Sequence, residues 1–395
     1  MDKITFCIPS KSNLRYLKTC IPSIRNNSYR NDHDIIIFVD SDEDGTVEWL
    51  EQVKDEYSLS YYVNPKLGEE LYGIGRAYDF CIEKSTTDIF MIFHADMILG
   101  KNADFEAYKH LKEKTVVCAT RIEPPLHPNN GEKVLQDFGM YPEEFKEKEF
   151  HQYIKDRVEQ FDTVPTTEGI FAPWMMYKAE YLEILGGHDP ILHSCREDSD
   201  VFNRMLLSGF EFIQTWEGFV YHFTGRGAGS FDGDKQRHEF WQQQMNNSTR
   251  DFIRKWGQNV NHTPMMKPIV YPKYEVGIVV ENCYIQLIHA LEPWCDYIYV
   301  DLEEFVLYSE GEQKHSSFNI DERVRGFDPN KHVIKDNITV KIDGDKFTQQ
   351  DFQVLQQLSA IVQDSGEIGE FELGNIKIQI NDLTTYENEL IKYEK

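Results

Sequence analysis

Ile89-Phe90-Met91-Ile92-Phe93-His94-Ala95-Asp96 is the stretch from which the rest of the chain is read. Its five apolar residues predict a short buried strand. Two metal-capable side chains then stand where that strand should end. Residues i and i+2 of a strand face the same side, so His94 and Asp96 are expected together. In an open α/β sheet, ligands bind in the crevice at the carboxyl ends of the strands. An imidazole and a carboxylate there point to a divalent cation and, through it, to a phosphate. A strand that simply ends in polar residues would give the same letters, and the triplet alone leaves both readings open.

The surrounding sequence alternates strands and helices. Ile4 to Ile8 predicts a strand ending at Pro9. Residues 13–25 have helical spacing, with Pro22 expected to break or kink the helix. Asp34 to Val39 predicts a second strand, closed by the acidic turn Asp40-Ser41-Asp42-Glu43-Asp44-Gly45. A helix over 46–57, a short strand over 60–63 and a helix over 76–84 lead into the quoted stretch, and Thr115 to Thr120 predicts a further strand. This order implies a mostly parallel sheet covered by helices on both faces. Residues 123–165 show weak periodicity and read as an insertion able to cover the crevice. A strong amphipathic helix over 197–208 and a strand Phe219-Val220-Tyr221-His222 follow. The glycine-rich Gly225-Arg226-Gly227-Ala228-Gly229 comes next, and then a long helix from about 236 to Trp256.

Residues 258–273 read as a linker punctuated by Pro264, Pro268 and Pro272. Beyond it, 274–395 reads as a smaller α+β domain, with strands at 276–280, 297–300, 338–342 and 376–380 and helices at 282–291 and 348–363. Nothing in it points to catalysis; acceptor recognition, packing or homo-oligomerisation are its candidate roles. The expected domains are therefore 1–257, a linker over 258–273, and 274–395.

Composition bounds the function. The chain has 395 residues, enough for two or three domains. It carries 67 acidic against 41 basic residues, a net charge of −26, which disfavours nucleic acid and anionic membranes as partners. Such a field also repels nucleotides, so a phosphate site needs a metal, a few basic residues or helix N-termini. Seven cysteines show no CxxC pair, and several lie in apolar runs as expected of buried thiols. With no signal-like start and no apolar run of membrane-spanning length, a cytoplasmic location is expected.

Five segments together resemble the family 2 glycosyltransferases of the GT-A fold, in order and roughly in spacing, over about residues 3–257. They are Phe6-Cys7-Ile8-Pro9-Ser10; Phe38-Val39-Asp40 through Gly45-Thr46; Gly75-Arg76-Ala77-Tyr78 with the 89–96 stretch; Leu185-Gly186-Gly187-His188-Asp189 with Arg196-Glu197-Asp198 through Arg204; and Val220-Tyr221-His222 with Lys255-Trp256-Gly257. The resemblance implies transfer of a sugar from a nucleotide-diphosphate donor, UDP-sugar favoured, with a divalent ion stabilising the leaving diphosphate. Manganese is favoured and magnesium is the alternative.

Carried over residue by residue, the resemblance makes Asp96 the carboxylate that ends a DxD-like motif and His222 a further metal ligand. His94 replaces the first Asp of DxD, so it is a ligand, a ribose contact or neither. Pro9, Asp40, Arg76, His94, Ala95 and Asp96 are the donor-binding candidates, with Asp40 accepting from the base and Arg76 touching base or diphosphate. Asp is also a common turn residue, and Arg76 also reads as an exposed helix start. Arg226 is a candidate clamp on the diphosphate. An inverting transfer needs a base for the acceptor hydroxyl; the resemblance assigns it to Asp198, with Glu197 as fallback or orienting group. Acids in a first helical turn also favour the macrodipole. The acceptor is open: a glycan, a protein, a lipid-linked sugar or a small molecule, in glycan biosynthesis. Retaining chemistry and a catalytically silent sugar-binding module are the alternatives. A sugar nucleotidyltransferase expects a glycine-rich loop after the first strand, and Pro9-Ser10-Lys11-Ser12-Asn13 supplies no glycine.

Overall fold

The computed structural model describes residues 1–160, 166–225, 235–301, 305–327, 334 and 336–394. The first apolar runs become the centre of a sheet. Strand β1 (Thr5–Lys11) lies between β2 (Asp34–Ser41) and β4 (Ile89–Ile92), parallel to both, and β3 (Ser60–Val63) extends the sheet beyond β2. Buried on both faces, β1, β2 and β4 read as nearly continuous apolar runs. Helices α1 (Leu14–Asn27), α2 (Thr46–Val53) and α3 (Ile74–Lys84) are the crossovers. The order β3-β2-β1-β4 reverses direction between β1 and β4, the topological position at which α/β sheets open a ligand crevice.

The other side of this sheet is mixed. It runs from β4 through β9 (Trp174–Tyr177), β6 (Thr115–Glu123) and β10 (Glu211–His222) to β5 (Met97–Leu99), with β7 (Val134–Leu135) on β6 and β8 (Thr166–Thr167) on β10. Strand β9 is antiparallel to β4 and β6, whereas β6 and β10 are parallel. Trp174, Met175 and Met176 are core residues here. Helices α4 (Ala103–Tyr108), α5 (Glu147–Glu159), the single turn α6 (Lys178–Glu180), α7 (Glu197–Leu207) and α8 (Lys235–Trp256) complete the first half of the chain. The expected mostly parallel α/β sheet flanked by helices is present.

Three local expectations change. Strand β1 continues past Pro9 to Lys11. Phe93 donates to the Cys7 carbonyl, so by the two-residue period Pro9 turns its nitrogen toward the side on which β4 has already ended, and no ladder bond is lost. Helix α1 is continuous through Pro22, its buried face packed into the main core. Strand β6 runs three residues beyond Thr120, and the 123–165 segment contains a short strand paired with β6 and a helix, β7 and α5.

A second sheet has the order β13-β12-β11-β14-β16-β15, from β11 (Val276–Glu281), β12 (Tyr297–Val300), β13 (Val324–Gly326), β14 (Ile338–Asp343), β15 (Gly369–Leu373) and β16 (Ile376–Ile380). Strands β13, β12, β11 and β14 are mutually parallel, and β16 is antiparallel to both its neighbours, β14 and β15. Helices α9 (Ile285–Leu291), α10 (Phe305–Glu312), α11 (Ile320–Arg323), α12 (Gln349–Gln356) and α13 (Leu358–Ser365) belong with it. The contacts divide the chain into one unit of 1–242, 262–268 and 392–395, and another of 243–261 and 269–391. The division cuts α8 after Gln242 and assigns residues 262–268 of the expected linker to the first unit.

Candidate active site

The quoted stretch folds differently from a strand end. Strand β4 stops at Ile92, and residues 93–96 form a turn in which Met97 donates to the His94 carbonyl at 3.2 Å. The chain then reverses into β5, antiparallel to β10, with Met97 opposite His222. Phe223 donates to the Asp96 carbonyl at 3.1 Å. This pairing, rather than strand alternation, gathers the site. His222 Nε2 lies 3.4 Å from Asp96 Oδ1, and His94 Nδ1 lies 3.5 Å from His222 Nε2. One ligand atom from each of the three residues falls within 4.8 Å of the others.

The electrostatics of this trio follow from burial and mutual charge. Burial, then the neighbouring His222, push the His94 imidazole down to about 4, so it is neutral at pH 7. Burial also opposes charge on His222, but Asp96 and Glu123 outweigh it and raise the ring to about 9. Burial acts to raise Asp96, yet the two imidazoles hold it below the usual carboxylate value. A second ring of charge stands behind His222. Its Nδ1 lies 2.8 Å from Glu123 Oε1, which also accepts from Arg121 at 2.9 Å, while Lys133 reaches Glu123 Oε2 at 2.8 Å. Arg121 stacks over the Phe171 ring at 3.4 Å. Two imidazoles and a carboxylate, with one imidazole backed by a carboxylate, fit a first-row divalent ion such as manganese better than magnesium, which prefers an all-oxygen set.

The remaining predicted residues are placed as follows. Pro9 is half-buried near the end of β1, and Ala95 is buried inside the turn. Asp40 ends β2 with its carboxylate occupied: Oδ1 accepts from Tyr72 N at 2.6 Å and Asn64 Nδ2 at 2.9 Å, and Oδ2 from Gly73 N at 3.1 Å. It anchors the loop that enters α3. Arg76, exposed in the first turn of α3, stacks over Tyr72 at 4.2 Å. Arg226 lies outside the described residues.

Helix α7 presents the acidic pair. Arg196 enters it with φ 71°, a left-handed conformation unusual for a side chain of this size. Asp198 Oδ1 accepts from Ser199 N at 2.6 Å, as a helix-start carboxylate does. Glu197 is different: its Oε2 is buried with no hydrogen-bond partner, and burial together with Asp198 pushes the carboxyl up to about 8. Asp200 pairs with the fully buried Arg204 at 2.8 Å, and Arg204 donates to the carbonyls of Leu185 and Gly187. The Gly-Gly loop is thereby tied to α7.

Several residues escaped the sequence reading. Tyr78 on α3 has a buried, unpartnered hydroxyl, and burial followed by the charges of Glu197 and Asp96 pushes it well up. Tyr78 therefore lies within the fields of both the acidic pair and the cation trio. The Ser10 hydroxyl at the end of β1 is likewise buried and unpartnered. Each such group costs roughly 1–3 kcal/mol, so these atoms imply partners supplied by a ligand or water. Glu123 and Lys133 lie in the segment read as an insertion, and Arg121 stands just before it. The only signal was the alternation Arg121-Ile122-Glu123 at the end of an apolar run, a pattern that surface strands share.

The three residues of the trio thus stand at strand ends of the α/β sheet, and Glu197 of the acidic helix start acts on Tyr78 together with Asp96. Residues 5–183 are a glycosyl transferase family 2 domain, matching the family model described as "Glycosyl transferase family 2". The match ends before α7 and β10. No curated protein matches the sequence. Similar solved structures include "Crystal structure of GalNAc-T7 with UDP, GalNAc and Mn2+", at 10% identity over 56% of this chain and 43% of that chain, with a TM-score of 0.41. Another is "Crystal structure of S. aureus TarS", at 10% identity over 64% of this chain and 44% of that chain, with a TM-score of 0.41. The chain thus spans less than half the length of either. Among the described residues, no helix is long and apolar enough to cross a membrane.

Proposed function

We propose that this chain is a cation-assisted glycosyltransferase that moves a sugar, of hexosyl type, from a nucleotide-diphosphate donor, UDP-sugar favoured, to an acceptor hydroxyl with inversion. The observation that carries the reading is the grouping of His94 and Asp96, which follow β4 within the matched residues 5–183, with His222 at the end of β10. His94, Asp96 and His222 would hold the ion, manganese favoured, whose chemistry is to stabilise charge on the departing diphosphate. The crevice between β1 and β4 positions the donor, with Ser10 and Arg76 available to it. Of the acidic pair, Glu197 keeps its proton at neutrality, which leaves Asp198 to take the proton of the acceptor hydroxyl. Glu197 then donates a hydrogen bond that orients the acceptor. A cytoplasmic location belongs to the same proposal.

The test is release of nucleoside diphosphate from a panel of UDP- and GDP-sugars with manganese, with and without simple acceptors. Release that depends on manganese and is lost in Asp96→Asn is the expected result. Donor binding without release under any of these conditions would replace this reading with a silent binding module.

A further inference from the structure

We propose that Glu123 is a positioning residue for the cation site: it fixes the ring of His222 so that Nε2 faces His94 and Asp96. The inference rests on the cation reading above. Ile122 is the register partner of Tyr221 in the parallel β6–β10 pair, so Glu123 and His222 leave the end of that ladder side by side. Glu123 is 1% exposed, and His222 is 5% exposed. The Glu123 Oε1 to His222 Nδ1 distance is 2.8 Å. An ionised carboxylate only accepts, so the proton of this bond sits on Nδ1. When the ring is neutral, its lone pair is then on Nε2, the nitrogen that points at Asp96.

The charges around Glu123 keep it ionised. Arg121 and Lys133 donate to its two oxygens, and Glu132 stands 3.9 Å from Arg121 and 3.8 Å from Lys133. Two acids and two bases sum to zero, so a carboxylate is buried here without burying net charge. Backing a ligating imidazole with a carboxylate sets its tautomer and raises its basicity, and loss of such a partner typically lowers metal affinity by about 10–100-fold. A purely structural cluster that pins residues 123–135 would contain the same ion pairs. The two roles differ in one respect: Glu123 touches His222, and no such bond links Glu132 to it.

The experiment uses the full chain and manganese alone, titrated calorimetrically into wild type, Glu123→Ala, Glu123→Gln and Glu132→Gln, with metal-free melting measured alongside. The expected order of affinity is wild type, then Glu123→Gln, whose amide oxygen still accepts the Nδ1 proton, then Glu123→Ala at about 10–100-fold weaker. Glu132→Gln should bind as wild type does, even where its metal-free melting falls. If Glu123→Ala does not fold, the comparison of Glu123→Gln with Glu132→Gln decides. Equal affinities for these two, or an affinity for Glu123→Gln equal to wild type, overturns the inference. Failure of the wild type to bind manganese overturns the cation reading itself, a different outcome from the same titration.

Discussion

At Glu197 the decisive quantity is a proton. Its carboxyl is raised to about 8, first by burial and then by Asp198, so it is protonated below that pH and ionises above it. If Glu197 orients the acceptor as a donor, turnover should fall as pH rises through about 8. Glu197→Gln, neutral at every pH, should keep much of the activity and lose that alkaline limb. Asp198→Asn should lower turnover by about 10²–10⁴-fold, the usual worth of a general base. A pH–rate profile of the three proteins checks this, and a dead Glu197→Gln beside an active Asp198→Asn would reverse the assignment. The letters Glu-Asp were legible in the sequence. Which of the two keeps its proton was not, because burial of Oε2 and the distance between two charges are properties of the fold.

Among the elements, α3 and the Gly-Gly loop before α7 depend on one another. Asp79 on α3 accepts from His188 N at 2.8 Å and from the Tyr181 hydroxyl at 2.6 Å. A Cβ at Gly187, where φ is +93°, would stand 2.5 Å from Asp79 Oδ2. Gly209 also has a positive φ, +76°, but a Cβ there meets nothing within 4 Å. Gly209→Ala should therefore cost only the left-handed backbone penalty of about 1–2 kcal/mol. Gly187→Ala should cost several kcal/mol by adding a clash with a buried carboxylate. Urea unfolding measures the difference, and equal costs would show that the loop is not clamped. The helices and central strands were legible from apolar periodicity. The turn at 93–96 and the extension of β6 to Glu123 were not, since each is set by pairing with β10. A strand's partner about a hundred residues away in the chain leaves no mark on its own periodicity.

For the whole molecule, each of the two sheets carries its own core. In the second unit, Glu292 is fully buried between Arg254 and Arg323, and its Oε1 is 2.5 Å from Arg323 Nε. Burial alone would raise its pKa, but the two guanidinium groups outweigh it and lower the carboxyl to about 2. A lowered carboxylate stabilises the fold above its unfolded value, near 4.3, and that contribution is lost as pH falls toward about 2. Acid unfolding of this unit should therefore fall between about pH 4.5 and 2. Glu292→Gln takes a carboxylate from both Arg254 and Arg323 while Arg254 keeps Asp251 and Glu312, so it should cost at most about 3–5 kcal/mol at neutral pH. Calorimetry should show the loss in the transition of the second unit, with manganese binding by the first unchanged. A melting curve insensitive to this substitution would remove the network from the stability of the unit.

The sequence by itself determined the sheet class, because apolar periodicity is local, and it named His94, Asp96 and His222 as candidates by their chemistry. It also carried the resemblance that the family match over 5–183 bears out. Only the tertiary structure decided that His94, Asp96 and His222 meet, that Glu123 stands behind His222, and that Asp40 spends its carboxylate on a loop. Each of those facts is a distance between side chains that local periodicity does not set. It is fixed by sheet register and burial, which the sheet as a whole sets.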